Sequence, residues 1–157
     1  MQKITPFLWF DDQAEEAARF YTSIFQNSKI TGSAYYGKNS QKPEGTVMTV
    51  NFQLEGQDFI ALNGGPYFTF TPAISLFVNC ENQAEVDELW ARLMEGGEEE
   101  QCGWLKDKYG VSWQIIPVEL MELINSSDAE RSARATQAML QMVKIDLGKI
   151  RQAFEGG

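Results

Sequence analysis

Histidine is absent from this 157-residue sequence. No imidazole base, His-containing triad or His metal ligand can therefore exist here. Cysteine is scarce: Cys80 and Cys102 are the two present, and they do not form a metal-binding spacing. No cationic leader ending in an Ala-x-Ala-type site opens the chain, so the expectation is a cytoplasmic protein with reduced thiols. Basic residues are few, 13 against 22 acidic ones, for a formal charge of −9. That balance argues against a nucleic-acid partner, whose backbone calls for clustered Lys and Arg. There is no apolar run approaching the roughly 18 residues of a membrane-spanning helix, and no basic amphipathic segment for a membrane surface.

What remains is ordinary for a globular protein: 43% hydrophobic and 22% charged residues, enough to bury a substantial core. Residues 103–117, GWLKDKYGVSWQIIP, read as a β-hairpin turning at Asp107-Lys108-Tyr109-Gly110, with Gly110 where a positive φ is needed. In its second strand Ser112, Gln114 and Ile116 share one face, and Val111, Trp113 and Ile115 the other. One amide thus points from an apolar strand. Periodicity alone leaves Gln114 equally open to being a ligand contact or a satisfied strand residue.

The rest of the chain repeats one pattern. A strand over residues 3–10 is followed by a helix start at Asp12-Gln13-Ala14-Glu15, with Asp12 expected as the N-cap. Ala14, Ala17, Ala18, Tyr21 and Ile24 recur at helical spacing. Strands are expected over residues 28–36, 46–54 and 57–63, the last two joined by the two-residue turn Glu55-Gly56. Then a strand over 74–79 meets a second cap at Asn82, and Val86, Leu89, Trp90 and Leu93 give a second apolar stripe. Gly96-Gly97 ends that helix, and a short strand over 98–102 leads into the hairpin. Strand, capped helix and three strands thus occur twice. Residues 118–157 are helical, with caps at Ser127-Asp128 and an Ala/Met-rich stripe that docks on this domain or on a second subunit.

Two tandem βαβββ units, with Phe20-Tyr21 late in the first helix, resemble the vicinal oxygen chelate superfamily of glyoxalases, bleomycin-resistance proteins and extradiol dioxygenases. More narrowly, ITPFLWFDDQAEEAARFY, LNGGP at residues 62–66 and GGEEEQCGWLKDKYGVSWQIIP resemble the PhnB-like subfamily. Many of its members carry the label 3-demethylubiquinone-9 3-methyltransferase. The resemblance implies an α+β fold in a single domain, with module one at 3–64, module two at 73–117 and a helical tail at 118–157. In metal-dependent members the ligands come from the concave faces of the first, fourth, fifth and eighth strands. Carried onto this chain, those positions are Thr5, Ala61 or Asn63, Ala73 and Gln114. Two neutral amides hold a divalent metal poorly, so no metal and no cofactor are expected. The methyltransferase label sits uneasily with glycine pairs that never join a parallel strand to a helix start.

A concave surface built from strand faces opposite the helices would be lined by Phe7, Trp9, Asn51, Phe59, Asn63, Phe77 and Gln114, the expected ligand-binding residues. Aromatic walls with a few amides suit a small planar or aromatic molecule, although each aromatic alone is more often core. No catalytic residue is identified, because the expected lining offers no titratable group. The expected partners are a small-molecule ligand and a second copy of the chain in a homodimer. The alternatives are a metal-dependent lyase or dioxygenase, the labelled methyl transfer, or a dimeric interaction protein without ligand.

Overall fold

A computed structural model describes residues 1–157. They form two compact units, Met1–Phe70 and Thr71–Gly157.

The first unit contains β1 (Phe7–Phe10), α1 (Ala14–Ile24), β2 (Lys29–Tyr35), β3 (Val47–Leu54) and β4 (Gln57–Asn63). Its sheet order is β1-β4-β3-β2, with β1 parallel to β4 and the other pairs antiparallel. Ala14, Ala17 and Ala18 are buried, and such small side chains let α1 lie close to the sheet. Tyr21 then meets Phe52 with ring centroids 6.3 Å apart.

Three expectations are corrected here. The first strand starts at Phe7, not at residue 3, because Pro6 has no N–H to give and Gln2 takes over the edge. The Gln2 amide donates to the Asp58 carbonyl and accepts from the Asp58 N–H, both at 3.0 Å. Asp12 is not the cap of α1. The N-cap position is Gln13, which makes no side-chain cap. Instead the Ala14 N–H donates to Asn63 Oδ1 at 2.8 Å, across 49 residues of chain.

The third is the face of β4 that meets the helix. Glu55 and Gly56 take φ of 50° and 78°, a primed turn that pairs Leu54 with Gln57. Phe52 therefore faces Phe59, and Val50 faces Ala61. The Phe52 and Phe59 rings stack at 5.4 Å. Phe59, Ala61 and Asn63 consequently lie on the helix side with the core, not on the open face assigned from alternation. Asp58, Ile60 and Leu62 occupy the open face instead.

The second unit repeats the topology with β5 (Leu76–Cys80), α2 (Gln83–Leu93), β6 (Glu98–Glu99), β7 (Trp104–Lys106) and β8 (Ser112–Pro117). Its order is β5-β8-β7-β6, and β5 runs parallel to β8. Asn82 caps α2, its side chain accepting from the Glu85 N–H at 2.9 Å. Val86, Leu89, Trp90 and Leu93 are buried on the helix's inner side.

At the hairpin turn Asp107 is buried, and its carboxylate gathers three donors. Oδ1 accepts from the N–H groups of Tyr109 and Val111 at 2.8 and 3.1 Å, and Oδ2 from Trp113 Nε1 at 2.9 Å. Gly110, at φ 90°, closes the turn on the Asp107 carbonyl. β6 is shorter than expected because the chain turns at 101–104, where Cys102 and Gly103 are left-handed.

Beyond β8 lie α3 (Val118–Ile124), α4 (Ala129–Leu140) and α5 (Leu147–Glu155). Of the two docking arrangements left open by the sequence, the structure has the tail on its own second unit. Ile116, Leu120, Ala135, Ile145 and Ile150 form one buried cluster. Gly103 makes the approach possible: a Cβ there would stand 2.7 Å from Ile116 Cδ1 and 3.0 Å from Ile145 Cγ1. The N–H groups of Cys102 and Gly103 donate to the Met142 and Val143 carbonyls at 2.8 Å. Gln83 clasps the same segment, donating to the Ile145 carbonyl at 2.8 Å and accepting from the Leu147 N–H at 2.7 Å. Lys144 pairs with Asp87 at 2.7 Å, and the ammonium holds that carboxyl below its ordinary range.

Candidate binding faces

Each sheet has one face under its helix and one face away from it. In the first unit the open face carries Phe7 and Trp9 on β1, with Ile60 and Leu62 beside them in register. Phe7 is 54% exposed, whereas Phe10 on the helix side is buried. Trp9 is fixed in place: its Nε1 donates to the Gly65 carbonyl at 2.9 Å, and Phe68 meets its ring edge-on at 4.9 Å. Gly64 exists as glycine because a Cβ would sit 2.3 Å from the Trp9 ring. Asn51 is exposed across from Ile60, and Gln53 donates to the Asp58 carboxylate at 2.8 Å.

In the second unit the open face carries Phe77, Gln114 and Trp104 side by side, since Gln114 is the register partner of both aromatics. Phe77 is 44% exposed, and Gln114 donates from Nε2 to Ser75 Oγ at 3.0 Å. Its Oε1 remains on the same face as an acceptor. Lys106 and Ser112 form the next pair along.

Of the residues expected to bind ligand, Phe7, Trp9 and Asn51 thus share one open face, and Phe77 and Gln114 share the other. Phe59 and Asn63 join neither group. The Asn63 amide is spent inside the first unit, accepting from the Ala14 N–H and donating to the Val47 carbonyl at 3.0 Å. Its own carbonyl accepts from the Tyr36 hydroxyl. Trp104 and Lys106 were missed, though the signal was present: a turn closed between Asp107 and Val111 pairs residue 106 with 112 and 104 with 114.

The residues fit a divalent metal poorly. Thr5 precedes β1 and Ala73 precedes β5. The open-face positions of β4 are Asp58, Ile60 and Leu62; the Asp58 carboxylate is engaged by Gln53, and on the second unit's face Gln114 is an isolated amide. Nowhere do three His, Cys, Asp or Glu side chains converge. A tightly held transition metal wants several N, O or S donors at about 2.0–2.3 Å.

The Cys80 thiol does not resemble a nucleophile. Burial pushes the Cys80 thiol up to about 12, and the nearby Glu85 carboxylate adds to the push. Because the thiolate is the reactive form, Cys80 stays inert in the folded protein at pH 8. Cys102 is half-buried. A thiol-specific chromogenic reagent is therefore expected to label one cysteine of the native chain and two after denaturation. Rapid native labelling of both would contradict this burial of Cys80.

The strand order, its parallel closing pair and its exact repetition in two βαβββ units define the glyoxalase/bleomycin resistance/dioxygenase fold class. Residues 2–116 match the family described as 3-demethylubiquinone-9 3-methyltransferase, and the chain belongs to that PhnB-like family. A PhnB protein from Bacillus cereus, described as a 3-demethylubiquinone-9 3-methyltransferase, is 43% identical with a TM-score of 0.69. The match covers 74% of this chain and 100% of that one. A protein from Pseudomonas aeruginosa is 21% identical with a TM-score of 0.62, covering 74% of this chain and 98% of that one. No curated protein matches the chain. Helices α3–α5 lie beyond the residues matched to the family.

Proposed function

We propose that this protein binds a small planar or aromatic molecule against its open sheet faces, without a metal. The observation that carries the reading is the exposure of Phe7 and Phe77 on the faces away from the helices, with Phe77 beside Gln114 and Phe7 sharing its face with Asn51. Small-molecule sites are lined mostly by aromatic and apolar side chains with a few placed polar groups. Methyl transfer finds less support. Gly64-Gly65 carries the chain from β4 past Trp9, and Gly96-Gly97 follows the end of α2. Neither offers the strand-to-helix turn on which a nucleotide-like cofactor rests.

A thermal-shift screen of aromatic compounds tests the proposal, since a molecule that binds only the folded state raises the melting temperature. At least one hit is expected to lose most of its shift in Phe7→Ser, Phe77→Ser or Gln114→Ala. These substitutions leave the helix-side core untouched, so the unliganded melting temperatures should move by only a few degrees. Shifts identical to wild type in all three variants would remove the open faces as the site.

A further inference from the structure

We infer that the open face of the second unit holds a subsite for a carboxylate, so that the molecule bound is a planar or aromatic acid; this rests on the ligand-binding reading above. Lys106 and Ser112 stand directly opposite each other on β7 and β8. Alternation places both on the face of Gln114 and Trp104. Ser112 is 1% exposed, and its Oγ has no hydrogen-bond partner. A buried hydroxyl without a partner is uncommon and calls for a cause, such as a group that visits it. Lys106 is half-buried and takes part in none of the chain's ion pairs. Its partner on the other side, Glu98, is exposed and not within ion-pair distance.

The pair supplies what a carboxylate needs. An ammonium on a flexible stem contributes charge and up to three donors. The Ser112 hydroxyl adds a fourth donor once that stem swings aside. Next along the sheet, Trp104 and Phe77 flank Gln114, which puts two aromatic side chains beside the pair for a planar body. The chain carries a formal charge of −9, so an anion is repelled by the molecule as a whole and depends on a local cation.

Naphthalene-carboxylate and naphthalene-carboxamide share one ring system and differ in charge, which makes them the probes. Their affinities for the full chain can be followed through tryptophan fluorescence at fixed ionic strength. The carboxylate is expected to bind about tenfold tighter, as charge-assisted hydrogen bonds outweigh neutral ones. Lys106→Gln should abolish that preference while leaving carboxamide affinity unchanged, and Lys106→Arg should keep it. Ser112→Ala should weaken the carboxylate several-fold without affecting the carboxamide. Equal binding of both probes to the wild-type protein would overturn the subsite and leave the aromatic reading standing. A preference that survives Lys106→Gln would also overturn it, placing charge recognition elsewhere. Binding of neither probe would count against the aromatic reading and the subsite together.

Discussion

Asp107→Ala is expected to lower the melting temperature by about 10 °C. The carboxylate is 3% exposed and serves the Tyr109 and Val111 N–H groups and the Trp113 indole. Alanine would strand two of these donors, those of Val111 and Trp113, in the interior. Each buried unsatisfied donor costs about 1–3 kcal/mol, so about 3–5 kcal/mol is lost together. For a chain of this size each kcal/mol moves the midpoint by about 2–4 °C. Asn, which keeps one acceptor oxygen, should fall between alanine and the wild type. Calorimetry showing Asp107→Ala within about 3 °C of wild type would contradict the network.

The second large effect belongs to Asn63. Asn63→Ala is expected to cost about 2–3 kcal/mol, through a lost helix cap and the Val47 carbonyl left without its donor. Asp12→Ala, the change a sequence reading would single out, should cost less than about 0.5 kcal/mol, as exposed positions usually do. Urea unfolding of the two variants side by side separates them. Equal losses would mean that Asp12 shares the capping role after all.

The contrast between these two residues shows what the sequence made legible. Local signals were sufficient for the repeat, both helices and the hairpin. Helical stripes, a primed Glu55-Gly56 turn and Asn82 three residues before Glu85 are decided within one or two turns of chain. Asn63 was not readable in the same way, because its partner lies 49 residues away in sequence. Phe59 went to the wrong side for a related reason. Alternation says which residues travel together but not which side faces the helix; the turn's pairing of Leu54 with Gln57 settles that. At the candidate site, Phe7, Trp9, Phe77 and Gln114 followed from strand periodicity. Trp104 and Lys106 did not, because a three-residue strand is too short to show a period, and its face follows only from pairing outward from the hairpin turn. That omission hid Lys106, the cation on the second unit's strand β7.

The closing pair of each sheet sets an order of events during synthesis. Phe7 must wait for Ile60, its partner in the parallel pair, before the first sheet is complete. Every strand it needs has been made by then, and the amide that steadies the head of α1 follows three residues later. The leading half can thus settle while the ribosome is still translating the rest, as segments made first commonly do. The trailing half has no such early finish: Ile145 and Ile150, which seal Ile116, emerge well after β8 is complete. Until they arrive, that greasy surface is bare, and a ribosome stalled near residue 140 would hand the cell a chain prone to clump.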